Sequence, residues 1–158
     1  MSPSRIIASI VVCVGAALAF LLFVPRPGAP TYALQPTSPE VVALGKKVYD
    51  EHCASCHGAN LEGQPNWRIR DENWLLPAPP HDETGHTWHH ADEVLFLSVK
   101  HGPGYMLEDY ESNMPGYADI LSDEEIVASL SFIASTWPPE VLAEQQRINK
   151  GHEDFKEQ

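Results

Sequence analysis

Five consecutive residues, Cys53-Ala54-Ser55-Cys56-His57, constrain this chain more than anything else in it. Two thiols separated by two residues reach the two vinyl groups on one edge of a haem and form thioethers, and the adjacent histidine then lies under the iron as an axial ligand. Other uses of paired thiols need other surroundings. A thioredoxin-type pair expects a βαβ setting, whereas this one closes an amphipathic helical pattern. A zinc site needs further ligands, and the third cysteine, Cys13, sits in an uncharged, largely apolar stretch. The pattern therefore predicts one covalently bound haem c, attached at Cys53 and Cys56, with His57 on the iron.

The rest of the chain has room for one domain to wrap such a group, since 158 residues make one domain with appendages. A hydrophobic fraction of 43% excludes disorder throughout. The 10 basic and 22 acidic residues exclude binding nucleic acid through its phosphates, which needs a basic footprint. The charge is also uneven. Arg5 and Arg26 are the only charged residues before Glu40, so residues 40–158 hold eight basic against 22 acidic residues, a balance of −14.

From Ile6 to Val24 run 19 uncharged residues with Ser9 as the one clearly polar member. That is about the length needed to cross roughly 30 Å of hydrocarbon as a helix. With Arg5 ahead of it, the stretch predicts a signal anchor over residues 1–24, passing once through the cytoplasmic (inner) membrane and leaving the remainder on the periplasmic face. Removal as a signal peptide is the alternative, for which Thr31-Tyr32-Ala33 is a poor cleavage site. Cys13 inside the span reads as a small apolar residue. Residues 25–37 follow as a Pro-rich linker, and at about 3.1 Å per residue the run from Pro25 to Pro39 spans up to about 45 Å.

Residues 38–138 carry the helical signals. Ser38 is placed to cap a helix with Pro39 at its first position, and Val41, Leu44, Val48 and Tyr49 recur at helical spacing up to the cysteine motif. Gly45 inside that helix costs about 1 kcal/mol relative to Ala, either as a tolerated defect or because another helix comes close. Ala91 to His101 reads as a second helix, stopped at Gly102. Ser122-Asp123-Glu124-Glu125 is a capping box, and Ile126, Leu130, Ile133 and Trp137 form one apolar stripe behind it. Residues 139–158 read as a polar tail, helical as far as Lys150 and without chemistry of its own.

An iron in an electron carrier needs a sixth ligand. Met114, followed by Pro115 in a loop just before the last strong helix, is the expected donor, because proline holds the preceding residue extended. Met106 and a histidine are the alternatives.

With these parts in this order, the stretch from Ser38 to Trp137 resembles the small class I c-type cytochromes of bacteria, in their membrane-anchored form. The resemblance implies an all-α, cytochrome c-like fold around one haem, preceded by one transmembrane helix, and a carrier of electrons rather than an enzyme. It also implies that the first and last helices cross at Gly45 and Phe132. A proline carbonyl should meet the imidazole N–H of His57, and Pro65 in Gln64-Pro65-Asn66-Trp67 is the candidate.

Trp67, Arg68, Arg70 and Trp74 are candidates to bind the haem propionates, since guanidinium and indole N–H groups suit carboxylates. Surface arginines and core tryptophans are the plain alternative. One segment lies outside the minimal plan: His81, His86, His89 and His90, with Asp82 and Glu83, could bind copper or zinc. The alternative is that they bond one another in a loop over the haem edge.

The expected function is electron transfer through a single haem with His57 and Met114 on the iron. The acidic domain predicts redox protein partners with a basic docking patch. A haem enzyme or gas-binding sensor with a labile sixth ligand, and a copper-handling module using the histidine-rich segment, are the alternatives.

Overall fold

Ser38 starts the first helix, α1 (Pro39–His52): its hydroxyl accepts from the Val41 N–H at 3.5 Å, and Pro39 occupies a position where no N–H is needed. The computed structural model describes residues 32–106 and 110–156. The apolar run 6–24 lies outside them, and among the described residues no helix is long and apolar enough to cross a membrane. A single turn, α2 (Ala54–His57), continues from α1, followed by a long irregular stretch with one 3-10 turn at Thr87–His89. Then come α3 (Asp92–His101), a 3-10 turn at Pro103–Tyr105, α4 (Asp123–Ser135) and α5 (Pro139–Lys156). Among the described residues there are no strands.

The fold is organised by the crossing of α1 and α4. A Cβ on Gly45 would lie 1.9 Å from the Ala128 carbonyl oxygen and 2.9 Å from the Phe132 Cβ, so the two helices meet with nothing between them. Overpacking that contact would cost about 1–3 kcal/mol, more than the roughly 1 kcal/mol that glycine costs α1. The expected Gly45–Phe132 crossing is present. Around it Val48, Tyr49, Ile126, Leu130, Ile133 and Trp137 form the core with Leu95 and Phe96 of α3. The capping box forms as the sequence predicts, with Ser122 accepting from Glu125 N at 3.3 Å and Glu125 accepting from Ser122 N at 2.9 Å.

Both ends of the domain differ from expectation. The linker is bound to the domain from Tyr32 onward: Leu34 N donates to Asp92 Oδ2 and Gln35 N to Ser131 Oγ, each at 2.9 Å. The tail is a full helix to Lys156 that docks on α3. Asp92, 5% exposed, takes Gln145 Nε2 at 2.7 Å and Asn149 Nδ2 at 3.2 Å, and Asp92 N donates to Asn149 Oδ1 at 3.0 Å. Glu93 takes His152 Nε2 at 2.9 Å and Lys156 Nζ at 2.6 Å. The bonds from Lys156 and His152 hold the Glu93 carboxyl below the usual range. Hydrophobic periodicity gives no sign of this docking because much of what holds it is polar.

Candidate haem site

Cys53 closes α1, its N–H bonded to Tyr49 O at 2.9 Å, and then starts the next turn by accepting from Cys56 N at 3.1 Å and His57 N at 3.0 Å. The pentad thus folds into one compact turn at the end of a rigid helix. Cys53 is half-buried and Cys56 exposed, and neither is in a disulfide. Burial and the neighbouring Cys56 push the Cys53 thiol up to about 11, so it stays protonated at neutral pH.

His57 is buried, and its Nδ1 lies 2.9 Å from the carbonyl oxygen of Pro79. A carbonyl can only accept, so Nδ1 carries the proton and Nε2 keeps its lone pair. Burial lowers the basicity of the ring and the Pro79 bond opposes it. The bond corrects the expectation for Pro65, which is exposed on the intervening loop.

Two arms bring the distant Pro79 into place. Gly63 N bonds His57 O, Gln64 N bonds Ala78 O, Gln64 Oε1 accepts from Ala78 N, and His81 N bonds Leu61 O, all at 2.8 Å. Gly63 has φ 68°, and a Cβ there would lie 2.4 Å from Pro80 N and 2.6 Å from the Pro79 carbonyl carbon. Only glycine meets both demands.

Met114 lies half-buried in the loop between α3 and α4, with its N–H on Ser112 Oγ at 3.1 Å. Its flank is fastened to α3 by Tyr117 N on Val99 O at 3.1 Å and Ala118 N on Lys100 O at 3.0 Å. The Tyr117 hydroxyl reaches His52 O at 3.0 Å, next to Cys53, and so ties the methionine loop to the cysteine motif. Nothing in the sequence singled out Tyr117 beyond its place after Met114-Pro115-Gly116. Met106 is 43% exposed beyond the 3-10 turn.

Two thiols, a buried imidazole with a bare Nε2 and a thioether loop tied to the same motif are a donor set that fits haem c. Residues 42–137, more than half of the chain, match the family profile described as Cytochrome c. The chain belongs to the cytochrome c family. With that membership come the helical fold, covalent attachment of haem and electron transfer through it. Over 99 residues this cytochrome is 25% identical to a protein of Sinorhizobium medicae (strain WSM419) described as Cbb3-type cytochrome c oxidase subunit FixP, a match covering 60% of the chain and 29% of that relative. No solved structure matches it significantly.

The remaining candidates on this cytochrome fall into separate groups. Arg68 lies over the Trp67 ring at 4.0 Å and reaches Thr84 O at 3.4 Å. Trp67 in turn stacks on His86 at 5.5 Å. Arg70 donates to the Trp74 carbonyl, and Trp74 is 76% exposed. Arg68 and Arg70 are both exposed, as surface arginines would be, whereas Trp74 is not the core tryptophan of the plain alternative.

Among the described residues no group of three or more His, Cys, Asp or Glu is placed to hold a metal ion, the four histidines included. Their rings are turned to other partners instead. His81 stacks on His57, His86 on Trp67 and His89 on Trp88, while His90 meets His86 edge-on. Burial and then neighbouring imidazoles hold His81 and His90 below the usual histidine range; for His86, burial is joined by His89 and Arg68. At neutral pH these three rings add no charge.

Proposed function

We propose that this chain carries electrons one at a time between redox proteins on a single haem c, joined to Cys53 and Cys56 and ligated by His57 and Met114. The observation that supports this most is the 2.9 Å bond from His57 Nδ1 to Pro79 O. It leaves Nε2 as the unprotonated nitrogen that iron ligation requires, so the tautomer is fixed by the protein. When bound, the haem supplies a one-electron change between ferrous and ferric iron. His57 and Met114 would hold the iron, and the soft Met114 sulfur would favour its ferrous form and raise the potential.

The apolar run from Ile6 to Val24 supports anchoring by a single pass through the inner membrane, with the haem domain on the periplasmic side. Anchoring makes the search for a partner in the same membrane a local one at raised effective concentration. The relative described as an oxidase subunit supports a place beside, or within, an oxidase assembly.

Replacing Cys53 and Cys56 with Ala should abolish haem that survives acid extraction. Met114→Ala should remove the methionine-to-ferric-iron charge-transfer band, lower the potential and admit CO, while Met106→Ala leaves the band in place. A band that survives without Met114 would overturn the ligand assignment.

The balance of −14 on residues 40–158 supports a partner with a basic docking patch. Charge steering is screened with a Debye length of about 8 Å at physiological ionic strength. The electron-transfer rate constant of the soluble domain should therefore fall as salt rises, and a flat profile would remove steering from the account.

A further inference from the structure

The imidazole of His81 lies nearly parallel on that of His57, with ring centroids 4.0 Å apart and planes 21° from parallel. His81 is itself pinned from several directions. Its N–H bonds Leu61 O at 2.8 Å, its carbonyl accepts from Trp137 Nε1 at 2.8 Å, and its Nδ1 pairs with Thr87 Oγ1 at 2.7 Å. The buried Tyr49 ring stands edge-on to it, centroids 6.3 Å apart. The face presented to His57 is therefore rigid.

The two contacts on His57 restrain different motions. A single hydrogen bond from Nδ1 to Pro79 O fixes one in-plane direction but lets the ring rock about that line. A flat neighbour against the ring face opposes the rocking. A ligand oriented by two such contacts keeps one plane, as outer contacts commonly ensure for metal-binding histidines.

We propose that His81 is a positioning residue that fixes the plane of the His57 imidazole by stacking on it, with Thr87 holding His81 in place. The proposal rests on the haem reading above and assigns a role to a residue that the sequence suggested as a ligand of a second metal or as part of a loop over the haem edge.

The experiment compares the full-length holoprotein with H81A, H81F and T87V, after acid extraction has established covalent haem in each. In low-spin ferric haem the spread of the g values follows the orientation of the axial imidazole plane, so the largest g value is the readout, with the midpoint potential beside it. H81A should shift and broaden the largest g value. H81F, which keeps a flat ring in the same place, should return it towards that of the unaltered protein, and T87V should shift it in the same direction as H81A by less. A largest g value and potential in H81A equal to those of the unaltered protein would overturn the proposal. If H81A does not accumulate, T87V decides: a shifted signal supports the role and an unchanged one overturns it. An unaltered protein without covalent haem would defeat the haem reading itself, and this inference with it, which the extraction step reveals before any spectrum is taken.

Discussion

The two sides of the proposed haem site are held in different ways. On one side, His57 is gripped directly: a carbonyl bonds its ring edge, a second imidazole covers its face, and paired arms at 61–64 and 78–81 hold both in place. On the other, the bonds act on the residues around Met114, through Ser112, Tyr117 and Ala118, and the side chain is half-buried. An imidazole has an edge and a face that neighbours can fix, whereas a thioether is a weak acceptor on a flexible stem. The first can be positioned as a group; the second can only be delivered by its backbone.

Substitutions that injure one side and spare the other test this contrast. The largest effect should come from Gly63→Ala. A left-handed backbone costs a residue with a Cβ about 1–2 kcal/mol, and the added atom presses on Pro79 and Pro80, for a further 1–3 kcal/mol or so. The denaturation midpoint should drop accordingly, and the potential should move as the Pro79 carbonyl leaves His57. A midpoint equal to that of the unaltered protein would break the comparison, because the arms would then not be what holds His57.

A smaller effect is expected from Tyr117→Phe. Losing the bond to His52 O costs about 1 kcal/mol. In a denaturant titration followed by absorbance, the methionine-to-iron band should vanish earlier than in the unaltered protein, leaving a high-spin haem held through His57 whose Soret band is lost only later. Loss of both signals together would mean that the two sides form one cooperative unit rather than two.

What was legible in the sequence was local or periodic. The cysteine motif, the Ser38 and Ser122 caps and the helix over 92–101 each depend on residues within a few positions of one another, and Gly45 announces its contact by being costly where it stands. The His57 partner was misread because the chain goes out and back between residues 57 and 79 with no repeat to follow, and Pro65 sits on the excursion itself. The docking of α5 was invisible because Gln145, Asn149, His152 and Lys156 look like any solvated face until Asp92 and Glu93 lie opposite. For the histidines, close spacing left open both a shared ion and a loop of mutually bonded rings, and the structure stacks His81 on His57, His86 on Trp67 and His89 on Trp88.

Asp92 has a mechanical consequence. Its carboxylate is held by Leu34 from the start of the domain and by Gln145 and Asn149 from its final helix, so a single side chain closes the domain into a ring. A pull applied to the backbone at residue 32 would load that carboxylate at the first turn of α3 early, along with the bond from Gln35 to Ser131. Much of the force would leave through α3 and α5 and bypass α1, so strain on the leading segment would be diverted from the helix that leads into the cysteine motif.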